Sequence, residues 1–134
     1  MAKEIVTTSG RRKQSVARAT VKSGKGIVRI NHMKLEDYQP MVARMRIMEP
    51  LMLAGDAASK VNIDVKVRSG GWSSGADAAR LAIARGLVEF TGSKSLRHSF
   101  LDYDRQLLVA DVRRNEPHKP NDSKARAKRQ KSYR

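Results

Sequence analysis

The chain ends in a segment that cannot take part in a hydrophobic core. Residues 115–134 read NEPHKPNDSKARAKRQKSYR, and the apolar side chains among them belong to Ala125, Ala127 and Tyr133. So little apolar surface cannot offset the entropy cost of ordering a packed structure. Any fold must therefore be built from residues 1–114, and residues 115–134 are predicted to form an extended basic C-terminal tail.

The tail is a run of positive charge. From Ser123 onward it carries six cations and no acid: Lys124, Arg126, Lys128, Arg129, Lys131 and Arg134. A mobile cationic arm of this kind is suited to becoming ordered against phosphate. Six phosphate contacts at about 0.7 each would make log K fall with log salt with a slope of about −4. A solvated tail that only aids solubility is the alternative.

Positive charge extends over the rest of the chain as well. The 28 lysines and arginines exceed the 13 acids by 15, of which the tail supplies 7 − 2 = 5 and residues 1–114 the other 10. A polyanionic partner is the natural compensation. Nucleic acid is favoured over a membrane because no long apolar span or amphipathic lysine-rich helix is visible. A nucleoid-type DNA-packing protein remains an alternative.

Composition restricts the compartment and the mode of recognition. The chain has no cysteine, and its N-terminus, MAKEIVTTSG, lacks the apolar region of a signal peptide. A reducing cytoplasm is expected, without disulfides or thiolate metal sites. With three Tyr, two Phe and one Trp, the chain is poor in the aromatic platforms that read single-stranded RNA, so recognition of backbone and shape is favoured.

Periodicity predicts an α+β domain with two layers, helices packed on a mostly antiparallel sheet. Alternation of apolar and polar residues predicts strands at 4–8, 15–22, 27–30 and 61–67, with a hairpin turn at 23–26. Helical spacing predicts helices at 40–49 and 76–90 and a third through Leu96, Phe100, Tyr103 and Leu107.

The first predicted helix carries a stripe of methionines, Met41, Met45, Met48 and Met52. Thioether side chains fill irregular gaps, so the stripe is predicted to pack in the core. An adaptable binding surface is the alternative.

A basic turn is predicted between the first two strands. Arg11, Arg12 and Lys13 follow one another there, and burying unpaired charge is costly, so all three are expected to project to water or to phosphate. Arg18, on the exposed face of the next strand, favours phosphate, which arginine can grip with two bonds. A merely solvated turn is the alternative.

A glycine- and serine-rich loop opens the second long helix. Gly70, Gly71, Ser73 and Ser74 could bring backbone amides close to an RNA backbone or to a nucleotide phosphate, as in a small-molecule kinase. Against a nucleotide, no lysine follows in phosphate-loop spacing, and Asp77 would repel phosphate. A helix cap formed by Ser74 with Asp77 explains both residues without a ligand.

Catalysis finds little support. The histidines, His32, His98 and His118, are far apart in sequence and belong to no metal or nucleophile motif. Asp102 and Asp104 are two residues apart and would not share a helix face. No enzymatic activity, metal or cofactor is predicted.

Three segments together resemble a known family. GRRKQSVARATV, RSGGWSSGADAARLAIARGLV and DVRRNEP…KARAKRQKSYR are similar to small-subunit ribosomal protein nine, in the same order and over nearly the whole chain. Tyr133 before Arg134 is typical of the archaeal and eukaryotic branch.

The resemblance implies a ribosomal two-layer domain with a left-handed βαβ crossover, although the general rule is right-handed. It implies a place in the head of the small subunit, beside neighbouring head proteins. The implied ribosomal RNA contacts are Arg11, Arg12, Lys13, Arg18, Lys124, Arg126, Lys128 and Arg129. The implied contacts with peptidyl-site transfer RNA are Lys131, Ser132, Tyr133 and, closest of all, Arg134.

The sequence departs from the family pattern at a few positions. Gly75 stands where glutamine is frequent, and the family often has a third glycine near Ser69, so backbone rather than side-chain contacts are expected at this loop. His118 replaces a common lysine. Asn121 replaces a common glycine, and because asparagine tolerates positive φ, the bend is predicted to persist.

Overall fold

The computed structural model describes residues 5–121, 124–130 and 132–133. A five-stranded mixed sheet forms one layer, and helices cover one of its faces. The strands are β1 (Ile5–Arg12), β2 (Ser15–Ser23), β3 (Val28–Ile30), β4 (Met33–Lys34) and β5 (Val61–Arg68). The helices are α1 (Met41–Ala54), α2 (Asp56–Ser59), α3 (Trp72–Thr91) and α4 (Lys94–Tyr103), with 3-10 turns at Leu35–Asp37 and Arg105–Leu107. The α+β prediction is confirmed; Glu4, the predicted start of the first strand, lies outside the described residues.

The predicted alternation along β2 and β5 is confirmed. Ala17, Ala19 and Val21 of β2 are buried, and so are Val61, Ile63 and Val65 of β5, while most of the intervening side chains are exposed. Successive side chains of a strand point to opposite faces, so these residues form the helix-facing side of the sheet. The other side is open to solvent.

The hairpin predicted at 23–26 is wrong, because β5 lies between β2 and β3 in the order β1-β2-β5-β3-β4. β2 pairs with β5 in antiparallel fashion, and β3 pairs with β5 in parallel, so one parallel pair joins an otherwise antiparallel sheet. The eight-residue β5 can form backbone hydrogen bonds along nearly the whole of β2, whereas β3 has only three residues to pair. The Asn62 side-chain oxygen accepts from the backbone N–H groups of Lys25 and Ile27 and fixes the connection.

Helix α3 packs across β1, β2 and β5. A Cβ atom on Gly86 would lie 2.7 Å from the Cγ2 atom of Val21, so only glycine permits this approach. The intrinsic cost of glycine inside a helix, about 1 kcal/mol, is thereby offset by close packing of helix on sheet. Helix α3 begins at Trp72, four residues before the predicted Ala76.

Helix α1 continues through Pro50 to Ala54, and its core face was predicted wrongly. Ala43, Ile47 and Pro50 are buried, whereas all four methionines of the stripe are exposed: Met41, Met45, Met48 and Met52. At 3.6 residues per turn the two stripes lie on opposite sides of the helix. Both have helical spacing, and α3 packs against the side with the smaller residues, so periodicity alone could not choose between them.

The chain after α3 closes the core. Phe100 of α4 and Leu107 of the following 3-10 turn are fully buried. The single helix predicted through Leu107 instead ends at Tyr103, because the Asp104 side chain accepts from the N–H of Gln106 (2.9 Å) and caps the turn. Tyr103, predicted on the apolar face, is exposed.

Arg80 on α3 joins three elements on the helix side. It pairs with Glu49 of α1, and both of its terminal nitrogens donate to Asp104 at 3.0 Å. The guanidinium is largely buried, so both acids are bonded to one shielded cation.

Candidate nucleic-acid interface

One end of the sheet brings two of the predicted segments together. The turn between β1 and β2 contains Lys13, and the loop after β5 contains Gly70 and Gly71. Ser15, the first residue of β2, is fully buried and links them: its hydroxyl donates to the carbonyl of Ser69 at 2.9 Å and lies 2.8 Å from the Ser74 hydroxyl. The basic turn and the glycine loop therefore form one surface, although 54 residues separate Ser15 from Ser69.

The glycine loop is shaped by its neighbours as well as by its own sequence. Gly70 has φ +69°, and a Cβ atom there would overlap the Ser15 hydroxyl, so the position requires glycine. Gly71 is the N-cap residue of α3, and a Cβ atom on it would meet no other atom within 4 Å. Space is thus open at the start of α3, where first-turn amides lack intrahelical partners.

The serines of this loop already have partners within the protein. The Ser74 hydroxyl accepts from the N–H of Gly71 at 3.2 Å and so helps to cap α3, but Gly71 is the N-cap residue, and Ser74 does not form the predicted cap with Asp77. Asp77 is not part of that cap: its carboxylate accepts from Arg46 of α1 at 3.1 Å. The Ser73 hydroxyl accepts from the same guanidinium at 3.2 Å. A ligand at this loop would therefore contact backbone groups more readily than the serine side chains.

Arg11 and Arg12 point to opposite faces of the sheet. β1 runs on to Arg12 instead of ending at Thr8, so these neighbours alternate like any other strand residues. Arg11 is exposed on the open face, and Lys13 is exposed in the turn with φ +52°. The side chain of Arg12 is 18% exposed and pairs with Asp111 at 3.0 Å and with Asp77 at 3.9 Å. The prediction that all three cations project outward is wrong for Arg12, since carboxylates compensate its burial.

Arg18 lies on the open face, as predicted, and Lys66 and Arg68 of β5 lie there with it. The register places Arg18 opposite Lys66 and Val16 opposite Arg68. The two β5 cations were not among the predicted contacts. The clean alternation of β5 already placed them on its polar face, but only the adjacency of β2 and β5 brings them beside Arg18.

The segment that leads into the tail, residues 108–114, is here called the root of the tail, and it is fixed to the folded body. Arg85 of α3 donates to the carbonyl of Leu108 and to that of Ser9, both at 3.0 Å. The Asp111 carboxylate accepts hydrogen bonds from the side chain and backbone of Arg113 and also pairs with Arg12. These contacts, led by the Arg113 side chain, hold the pKa of Asp111 well below its usual range.

Beyond this root, the described residues of the tail form no helix or strand. Lys124, Lys128, Arg129, Ser132 and Tyr133 are exposed. The exposed Arg126 donates to Glu116, and this bond lowers the pKa of the Glu116 carboxyl. Asn121 has φ +62°, so the predicted bend is confirmed. Lys131 and Arg134 lie outside the described residues.

The part of the chain that the structure describes holds no cluster of metal ligands. His98 lies 3.3 Å from Asp102 on exposed turns of α4, but no group of three or more potential ligands there could hold a metal ion. No helix in the described ranges is both long and apolar enough to span a membrane.

Comparisons with known proteins agree with these features. Residues 10–134 match the family model described as ribosomal protein S9/S16. The small ribosomal subunit protein uS9 of Methanococcus maripaludis strain C7 is 50% identical over 133 residues, which cover 98% of this chain and 99% of the relative. The proteins of the same name from strains S2 and C5 give the same identity and coverage. The DNA-packing alternative gains no support.

Half of the residues are thus shared with an archaeal relative along essentially the whole length, which agrees with the resemblance to the archaeal branch. The chain therefore belongs to the ribosomal protein S9/S16 family and is a structural, RNA-binding, non-enzymatic component of the small subunit of the cytoplasmic ribosome.

Proposed function

We propose that residues 1–114 anchor this protein on ribosomal RNA in the head of the small subunit and that residues 115–134 reach the transfer RNA in the peptidyl site. The observation that carries the proposal is the contrast between the root of the tail and the described residues beyond it. Arg12 and Arg85 fix the root at Asp111 and Leu108. The described residues beyond it expose cations and have no regular secondary structure.

On the body, the proposal assigns ribosomal RNA contacts to exposed groups at the end of the sheet. Arg11, Lys13 and Arg18 would bind phosphates, and the backbone at Gly70 and Gly71 would approach closely. The loop side chains, Ser73 and Ser74, would contribute mainly by keeping the start of α3 in place. Arg12 acts as a positioning residue for the tail in this arrangement, because its guanidinium already pairs with carboxylates.

In the tail, the proposal assigns two tasks. The cations nearer the body, Lys124, Arg126, Lys128 and Arg129, would neutralise ribosomal RNA phosphates along the path. The last four residues, Lys131, Ser132, Tyr133 and Arg134, would contact the anticodon stem-loop of transfer RNA. Such contacts prolong residence without reading sequence, since phosphates carry no base information. We also propose that the connection from β3 to the parallel strand β5 is a left-handed crossover, as the family resemblance implies.

The test uses small subunits that carry the full chain or a chain lacking residues 131–134. A charge-assisted bond contributes about 1.5–3 kcal/mol at best, and solvent at the tail end reduces this, so we expect transfer RNA affinity at the peptidyl site to fall by about fivefold. The protein should still be incorporated at one copy per subunit. The measurement is the dissociation constant of transfer RNA by filter binding.

The matched control replaces Lys124 and Lys128 by glutamine and keeps the last four residues. This variant should wash from the subunit at lower salt than the full chain, with a smaller effect on transfer RNA. Unchanged transfer RNA affinity after removal of residues 131–134 would refute the role assigned to the tail end.

A further inference from the structure

The open face of the sheet is strongly basic. In the described strands its side chains include seven cations, Arg11, Arg18, Lys22, Arg29, Lys34, Lys66 and Arg68, against one carboxylate, Asp64. The chain as a whole has about two cations for each acid. This face is therefore richer in cations relative to acids than the chain as a whole.

The strand register arranges the cations in rows across the sheet. Arg11 is opposite Val16, and Val16 is opposite Arg68; one row further, Arg18 is directly opposite Lys66. Neighbouring strands are about 4.8 Å apart, and residues of successive rows on one face are about 7 Å apart. Arg11, Arg18, Lys66 and Arg68 therefore occupy a patch of about 10 Å by 7 Å.

In the part of the chain that the structure describes, no acid pairs directly with these four cations. Among the described residues, no hydrogen bond or ion pair of the side chain holds Arg11, Arg18, Lys66 or Arg68. Asp64 lies in the next row, opposite Arg29 of β3. Like charges directly opposite each other destabilise a strand pair, so the Arg18–Lys66 pair weakens the free protein.

We propose that the RNA-binding surface of the body extends over the open face of the sheet, which docks on the phosphate backbone of a double-helical segment of ribosomal RNA. Lys66 and Arg68 act there together with Arg11 and Arg18. The inference rests on the proposed binding of ribosomal RNA by the body and names the surface that carries it. An array of fixed cations complements a phosphate backbone, and its mutual repulsion is relieved when that backbone lies over it.

The composition of the face selects a double helix over a single strand. The outward side chains of the described strands are Arg, Lys, Asp, Asn, Ser, Thr, Val and Ile, without an aromatic ring. Proteins that hold single strands stack bases on aromatic side chains, which this face does not offer. Structured RNA is instead recognised by its shape and by contacts to phosphates and 2′-hydroxyls, which suit a flat basic sheet.

The first test compares two doubly substituted full-length proteins of equal charge. One carries Arg18→Gln and Lys66→Gln on the open face; the control carries Arg105→Gln and Lys94→Gln, both exposed on the helix side. Binding to a transcript of the ribosomal RNA head domain is measured by filter binding over a series of salt concentrations. Urea unfolding of each free protein is measured in parallel.

For the open-face variant, we expect the slope of log K against log salt to become less negative by about 1.4 to 1.8, which corresponds to two phosphate contacts. Its midpoint of urea unfolding should equal or exceed that of the unsubstituted protein, because the like-charge pair is gone. The control should keep its affinity within about twofold and its slope within about 0.5.

Equal losses of affinity in the two variants would overturn the inference, because the effect would then follow net charge alone. Failure of the unsubstituted protein itself to bind the transcript would instead contradict the proposed function. The two failures are therefore distinguishable. Preference for an unpaired oligonucleotide over the duplex regions of the transcript would also overturn the inference.

A second test uses the absence of cysteine from the chain. A single cysteine at Thr20→Cys on β2 places a tethered iron chelate on the open face, and Ser99→Cys on α4 places the same group on the helix side. Hydroxyl radicals from the first site should cleave a double-helical segment of ribosomal RNA in the assembled subunit. Cleavage from Ser99→Cys but not from Thr20→Cys would refute docking through the open face.

Discussion

On the helix-covered side of the sheet, Arg12 and Arg80 each meet two carboxylates, whereas on the open side Arg18 and Lys66 face each other across two strands without an acid between them. The basic residues thus fall into two groups that the composition does not distinguish. Those in the first group hold elements of the fold together. Those in the second group repel one another in the free protein, and we propose that they bind RNA phosphates.

The difference follows from where the acids lie. Asp77, Asp104, Asp111 and Glu49 all contact arginines on the helix side, where burial makes an unpaired charge costly. On the open side water screens the repulsion, so the cations remain without such partners. Burial therefore separates arginines that are paired within the fold from arginines that we propose to bind RNA, and substitutions on the two sides should have different readouts.

The largest effect is expected for Arg80→Ala. The change leaves Glu49 and Asp104 near each other without their shared cation. Breaking a fully buried pair costs 3–5 kcal/mol, and because both acids are about one third exposed, we expect the free energy of unfolding to fall by about 2 kcal/mol. Urea unfolding measures it, with the exposed Lys94→Ala as a control that changes stability by less than about 0.5 kcal/mol. A change no larger than that of the control would show that the pairing contributes nothing.

The neighbours Arg11 and Arg12 give the sharpest comparison. Arg12→Ala should lower the free energy of unfolding by about 1 kcal/mol, since it leaves Asp111 and Asp77 without this cation, and should leave the salt dependence of RNA binding unchanged. Arg11→Ala should keep stability but make the slope of log K against log salt less negative by about 0.7 to 0.9. Urea unfolding and salt-dependent filter binding separate the two. The same pattern in both variants would contradict the assignment of these side chains to opposite faces.

The smallest effect concerns acid. The pKa of Asp111 is depressed in the folded protein, mainly by Arg113, so its carboxylate stabilises the fold above the ordinary range of about pH 4. That contribution is lost as the pH falls from this range toward the lower folded pKa. The melting temperatures of the unsubstituted protein and Asp111→Asn should differ near neutrality and converge on acidification, as followed by circular dichroism. A difference that stays constant down to pH 2 would rule out this linkage.

Much of the secondary structure was predictable because local patterns determine it. The alternation of β2 and β5, the apolar face of α3 and the positive φ of Asn121 depend on neighbours in sequence. The first strand was predicted to end at Thr8, whereas β1 ends at Arg12, so the opposite orientations of Arg11 and Arg12 were not predicted. The alternation would have separated these two residues had that strand been extended to the turn.

The pairing of β5 with β2 and the exposed methionine stripe of α1 were not predictable in this way. The turn residues at 23–26 favoured a hairpin of β2 with β3, but β2 forms more backbone hydrogen bonds with the longer β5. Two stripes of α1 had the same spacing, and the choice of the face that packs on α3 depended on residues far away in the chain.

The sequence by itself determined that the chain is basic, that its last 20 residues offer little apolar surface to a core and that α and β elements build the rest. It also identified the family through three segments. Only the tertiary structure decided which cations pair with acids and which lie side by side without them. The physical reason is that periodicity assigns a residue to a face of its own element, whereas burial and charge pairing depend on which element packs against that face.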